Sequence, residues 1–517
     1  MLSLFVILLS VSCVYTATVS YDWDIGWVRA APDGYERSVM GVNGEWPPPV
    51  IEANEGDEIV VKVHNSLGNI STSVHFHGMF QYGTSAFDGA AGITQCPIPD
   101  GGSFTYKFKA SPAGTHWYHS HNAGQYPNGL RGKMIIHDWN WENSLDVVQQ
   151  IPITVSDWYK RYQKDMKLVI DDYLSPENKN GSIPSPDSFL VDDSTEAPTW
   201  DFQPGKKYLL RLINLSAVSC AFFHVEEHEL SVVAVDGIPV YPKGTETINI
   251  CAGQRYDVVL TANVDGKTEF KMLFKMATDM LDRPPPPEDK IRHEGRLHYH
   301  GGGGSTPRDR IKPSRPMPDL SNPLDDLLLV PFDDESLYEG MGHRIDFYVN
   351  QTYFENVGTR TFIGPQPWVA PKSPSLYTAL SGGMTATNLE TYGAGVVPYI
   401  LRPNETVTIH LENPQRFSHP MHLHGHHFQV IARGVDKWNG SVREVPMKRD
   451  TVSVPPNGFV VLRFIADNPG VWFFHCHIDL HLVGGMAALF IEAPEVLQEQ
   501  QIIPESGSRL CEIGDGE

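Results

Sequence analysis

The chain repeats itself across its length. His75-Phe-His77-Gly78, near the beginning, is matched by His422-Leu-His424-Gly425 near the end. A second pair, Gly114-Thr-His-Trp-Tyr-His119-Ser-His121 and Gly470-Val-Trp-Phe-Phe-His475-Cys-His477, aligns without a gap. Two distant segments that share two motifs in the same order are read as copies of one structural unit. The middle third carries neither motif, so it is expected to act as spacer and wall.

The units read as β. Glu58-Ile-Val-Val-Lys-Val63, Tyr208-Leu-Leu-Arg-Leu-Ile213, Tyr256-Asp-Val-Val-Leu260, Thr406-Val-Thr-Ile-His-Leu411 and Phe459-Val-Val-Leu-Arg-Phe464 have the composition and alternation of strands with one buried face. Gly 45 and Pro 40 among 517 residues supply turns rather than long helices. Three β-sandwich units in series are the natural arrangement, at about 150 residues per domain. One segment departs from it. Arg283-Pro-Pro-Pro-Pro-Glu288, then Gly301 to Gly304 and Pro-rich sequence to Pro318, reads as a connector over 283–340, with His293, His298 and His300 as solvated residues in it.

Leu2 to Val14 is an apolar run too short to span a bilayer, followed by Tyr15-Thr16-Ala17, and reads as a signal segment over 1–17. No later stretch is a transmembrane anchor, so a secreted, extracellular or wall-associated monomer is expected. Sequons at Asn69, Asn180, Asn214, Asn350, Asn404 and Asn439 fit N-glycans. The formal charge of −22 has the wrong sign for nucleic-acid binding. Beyond the signal, Cys96, Cys220, Cys251, Cys476 and Cys511 leave an odd thiol. Cys476 lies between His475 and His477 and is the suspected metal ligand. The others pair as Cys96–Cys511 and Cys220–Cys251, or leave two buried free thiols at the latter pair.

Four His-x-His pairs in the repeated motifs, His75/His77, His119/His121, His422/His424 and His475/His477, hold the chemistry. Residues i and i+2 of a strand face the same side, so each pair offers two imidazoles to one site. Imidazole suits Cu, Zn, Fe and Ni. Cys476 narrows the choice. Its side chain should face away from its two neighbours, toward a second site with His419 upstream and His481 and Met486 downstream. Two His, one Cys and a weak axial Met form the blue-copper set. In the first copy the position of Cys476 is Ser120, a poor ligand, so one such site is expected.

In these motifs the chain resembles the multicopper oxidase family, over essentially its whole length after the signal. The resemblance implies three consecutive cupredoxin-like Greek-key β-sandwich domains, at 18–145, 146–282 and 341–497, with a C-terminal tail at 498–517. It implies four copper ions: type 1 at His419, Cys476 and His481 with Met486 axial; type 2 at His75 and His422; and a type 3 pair at His77, His119, His121, His424, His475 and His477. It also implies one-electron oxidation of a substrate at type 1, with Cys476 as the link, and reduction of O2 to water at the other three ions. Asp88, in Phe87-Asp88-Gly89, and Asp479, two residues past His477, match acids that relay protons.

Val74-His-Phe-His-Gly-Met-Phe-Gln-Tyr-Gly83, Thr94-Gln-Cys-Pro97 and Glu390-Thr-Tyr-Gly393 resemble the fungal branch that includes ferroxidases and laccase-like oxidases. Ferroxidases hold Fe(II) with carboxylates near type 1. Asp201 and Asp282 match two of these, but the third position, four residues before His419, is Gln415. Iron-uptake ferroxidases also carry a C-terminal membrane anchor. Both departures favour a laccase-like oxidase of phenolic substrates, including pigment or polyketide precursors, with Asp201 or Glu196 accepting the phenolic proton and His481 at the substrate edge. A soluble ferroxidase is the alternative. A non-enzymatic copper-binding protein is the third.

Overall fold

The structure is a computed structural model that describes residues 16–160, 167–281, 284–300, 320, 322–340 and 342–514. The signal segment lies almost entirely outside the described residues. Strand periodicity is carried through to burial: Glu58–Asn65 and Ser103–Lys109 alternate buried apolar residues with outward polar ones, and they pair antiparallel in one sheet. Trp23, Ile59, Val61, Phe104 and Tyr106 fill the core behind them. Burial of each such side chain contributes about 1.5–3 kcal/mol.

The chain forms three pairs of sheets. The first domain packs two four-stranded sheets. One of them is built from Ile51–Asn54, Arg131–His137, Gly114–His119 and His75–His77, in that order. The second packs a six-stranded sheet on a five-stranded one, and the third packs two five-stranded sheets beside the hairpin Asn350–Phe354/Gly358–Phe362. The apolar core of the second domain runs without a break into that of the third, where it includes Cys476 and Met486.

The connector expected over 283–340 is partly built into the second domain. Arg292–Tyr299 is a strand lying between Thr199–Phe202 and Glu269–Met276. His293 is buried there, stacked on Phe189 and bonded through Nε2 to the Phe189 carbonyl (2.7 Å). Pro and Gly on either side masked this strand, whose His293, Gly295, Leu297 and Tyr299 face inward. The expected tail also folds. Glu505–Gly514 is a helix whose Leu510 enters the first-domain core, fixed by the disulfide Cys96–Cys511. Cys220 and Cys251 form the second disulfide. Among the described residues no helix is long and apolar enough to cross a membrane.

Five of the six sequons are open or partly open to solvent. Asn214 is the exception. It is fully buried, and its amide donates to the carbonyls of Ser219 (3.0 Å) and Ile250 (2.8 Å). A glycan there is incompatible with this fold.

Candidate metal centre

The repeated motifs fold into repeated pairings. In the first domain His75 lies opposite His119; in the third, His422 lies opposite His475. These two pairs occupy equivalent places in the two copies, and the copies face each other. Their imidazoles therefore converge at one seam. Donor atoms of His75, His77 and His119 lie within 4.8 Å of one another, as do those of His75, His422 and His424, and those of His121, His424 and His475. His477 completes the cluster, with its ring 5.1 Å from that of His77 and 5.6 Å from that of His119. All eight rings are buried.

The outer nitrogens are held by protein. Nδ1 of His75 bonds the Asp88 carbonyl (2.7 Å), that of His422 the Asp450 carbonyl (2.9 Å), and that of His119 the Ser120 carbonyl (2.9 Å). Their Nε2 atoms are buried without a hydrogen-bond partner. Unsatisfied buried polar atoms are costly and call for an explanation. Three lone pairs aimed into one small space are explained by a metal, with the backbone bonds fixing the tautomer. Burial, reinforced by neighbouring imidazoles, holds the pKa values of His77, His119, His121, His422 and His424 well below the usual range, and His475 and His477 are lowered to about 3. Those seven rings are thus neutral, as metal ligation requires.

A second, separate constellation surrounds Cys476. His419 Nδ1 and His481 Nδ1 each lie 3.7 Å from its Sγ, and these three residues form a further donor group within 4.8 Å. Bonds of about 2.3 Å to sulfur and 2.0 Å to nitrogen, at about 120°, separate the donors by roughly 3.7 Å, so the spacing fits donors that share one trigonal ion. Burial pushes the free thiol up, so a cation is needed to hold it as thiolate. Met486 is buried, and its carbonyl accepts the Cys476 N–H (3.1 Å). Ser120, at the equivalent place in the first copy, instead donates its hydroxyl to Gln125 Oε1 (2.8 Å). His475 Nδ1 bonds the Cys476 carbonyl (2.9 Å), so a hydrogen bond parallels the covalent link between the two constellations.

The acids divide. Asp88 reaches both copies: Oδ2 is 2.8 Å from His424 Nδ1 and Oδ1 is 3.2 Å from His75 Nδ1. Gly89 makes the turn possible. Its φ is +87°, and a Cβ there would stand 1.8 Å from the Val74 carbonyl, just ahead of His75. Asp479 is buried with Oδ2 unpartnered, and burial, then the charge of Asp157, raises it to about 7. It lines a cavity of about 700 Å³ together with His121, His475, His477, Trp368 and Arg360.

Of the proposed substrate acids, Asp201 and Glu196 are exposed. Asp201 lies on the outer face of the second domain, 3.0 Å from His298 Nδ1. Glu196 is exposed in the preceding loop, which Thr195 fastens to the Pro32 carbonyl. Asp282 lies outside the described residues. His481 is buried on the helix Asp479–Val483, with the Tyr173 ring 6.3 Å away. At His419 the neighbour is an amide, Gln415 Oε1 meeting Nε2 at 3.0 Å.

One group escaped the sequence reading. Asp450 contacts His77 Nε2 (3.3 Å) and is bound through both oxygens by Arg255 of the second domain (2.7 and 2.6 Å). Burial alone would raise Asp450, but the Arg255 charge overrides it and holds the acid well below the carboxylate range. The middle domain therefore does more than wall the seam. Arg449-Asp450 carries no motif, and its partner is 195 residues away, so only the fold could reveal the pair.

Models of the multicopper oxidase family match residues 24–140, 149–301 and 368–496. The chain is 39% identical over 518 residues to the iron transport multicopper oxidase fetC of Epichloe festucae, covering 98% of this chain and 81% of that protein. Among solved structures it is similar to Fet3p, a multicopper oxidase that functions in iron import (TM-score 0.89, 34% identity, 96% and 95% covered). It is also similar to the laccase from Botrytis aclada (TM-score 0.80, 28% identity, 96% and 91% covered). The expectation of a laccase-like phenol oxidase is thereby overturned: curated relatives at 35–39% identity over nearly the whole chain are iron transport multicopper oxidases, and the acid invoked for a phenolic proton, Asp201, is bound to a surface histidine. Laccase, pigment and secondary-metabolism expectations fall with it. This chain belongs to the multicopper oxidase family, a copper-dependent oxidoreductase with O2 as its electron acceptor and the family's four copper ions as its cofactor.

Proposed function

We propose that the protein is a ferroxidase, oxidising Fe(II) to Fe(III) at or beyond the cell surface. The similarity to iron transport multicopper oxidases over 98% of the chain carries this reading. Four Fe(II) ions each lose one electron, and O2 takes four electrons and four protons to give two waters. Copper supplies the one-electron and O2 chemistry. In this proposal His419, Cys476, His481 and Met486 would hold the type 1 ion. His75 and His422 would hold type 2, and His77, His119, His121, His424, His475 and His477 would hold the type 3 pair.

The protein's own groups keep the rings neutral, fix their orientation and exclude bulk water from the seam. Asp88 holds His75 and His424 across the two copies. Asp479, able to carry a proton near neutrality, faces the cavity through which small molecules reach the cluster. The test is oxygen uptake by copper-loaded protein, with Fe(II) and a simple phenol side by side. Fe(II) is expected to turn over at least about tenfold faster in kcat/KM, a difference of about 1.4 kcal/mol in transition-state stabilisation. Phenol turnover matching or exceeding that of Fe(II) would overturn the proposal.

A further inference from the structure

A further His-x-His pair, His298-Tyr-His300, lies outside the copper seam. The strand Arg292–Tyr299 sits between two others, and one rung of that sheet reads Asp201, His298, Glu269 across three strands. Residues in register share a face, and His300, two positions on, shares it too. This is the solvent face, because Trp200, Phe202, Leu297, Tyr299 and Phe270 point into the core. Asp201 stands between both imidazoles: Oδ1 lies 3.0 Å from His298 Nδ1, and Oδ2 lies 4.0 Å from His300 Nε2. Glu269 Oε1 lies 3.9 Å from the other nitrogen of His298.

The backbone is fixed on both sides of the pair. The His300 N–H donates to the Phe202 carbonyl and the Tyr299 N–H to the Thr268 carbonyl, each at 2.8 Å. Nearby cations are engaged elsewhere. Lys271 is bound to Glu294 (2.9 Å), and Lys267 to Glu226 and Glu227 (3.0 and 3.1 Å). Arg296 occupies the neighbouring rung, opposite Lys271.

We infer that Asp201, His298 and His300 form a surface site for one divalent first-row transition ion. Two imidazoles and one carboxylate on a single face are a donor set for such ions. The order of affinities for these donors places Cu(II) above Zn(II). The site is separate from the copper seam. Glu269 begins a strand whose other end, Met276, pairs with Ala221, near the Ala217 carbonyl that accepts the Asp479 N–H. Seven strand steps place the rung roughly 23 Å from that end. The inference does not depend on the identity of the oxidised substrate.

The experiment is calorimetric titration of tag-free, copper-replete protein, washed with chelator, using Cu(II) and then Zn(II). One further equivalent of Cu(II) is expected, with a paramagnetic spectrum showing imidazole nitrogen. In the double variant His298→Gln, His300→Gln that equivalent is lost, and Asp201→Asn weakens it at least about tenfold, a change of about 1.4 kcal/mol. Blue absorbance and thermal unfolding stay at wild-type values in both. No extra equivalent in the wild type, or an unchanged equivalent in the double variant, would overturn the inference.

Discussion

Cys476→Ser is expected to give a folded, colourless protein whose Fe(II) oxidation falls to background. The thiol sits 3.7 Å from both His419 Nδ1 and His481 Nδ1, and it is the free cysteine among the described residues. A serine hydroxyl keeps the volume but removes the soft thiolate that this donor set requires. Ser120 demonstrates the alternative within the same chain: buried at the equivalent place, its hydroxyl bonds Gln125. The imidazole seam does not include the thiol, so the copper content of Cys476→Ser should fall by one ion only. A blue, active Cys476→Ser protein would remove Cys476 from the type 1 site.

Asp479→Asn is expected to lower O2 consumption on the order of 100-fold while leaving the blue absorbance intact. Burial, then the Asp157 charge, brings Asp479 to about 7, so it holds its proton below that pH and loses it above. A step that takes a proton from Asp479 should slow as pH rises through about 7, and Asp479→Asn should lose that dependence. The same shift has a stability consequence. The folded chain binds this proton more tightly than the unfolded chain does, so its contribution is present at low pH and is lost as pH rises from the ordinary carboxylate range to about 7. Asp479→Asn should flatten that slope as well. A pH profile identical to wild type, with a normal rate, would leave Asp479 as a structural acid.

The repeat made most of the seam legible. Because His75 and His422, like His119 and His475, occupy equivalent positions, one pairing rule applied twice brings their imidazoles together. The single thiol between His475 and His477 separated the two sites for the same reason, since alternate strand residues face opposite ways. What the sequence hid depends on contacts between domains. Asp450 and Arg255 meet across domains with no motif to mark either of them. Asp201 was drawn to the substrate port by its match to family acids, yet strand register sets it beside His298, on a face that composition cannot identify. The strand Arg292–Tyr299 lay between Pro-rich and Gly-rich sequence, where punctuation outweighed its own alternation.

The most direct test of the two-site account is the metal content of the purified protein under copper-replete conditions, read together with its absorbance and paramagnetic spectra after washing with chelator. Four copper ions per chain are predicted, one of them blue and one of them paramagnetic without intense colour. Zinc in place of copper, or a single tightly held ion per chain, would contradict it.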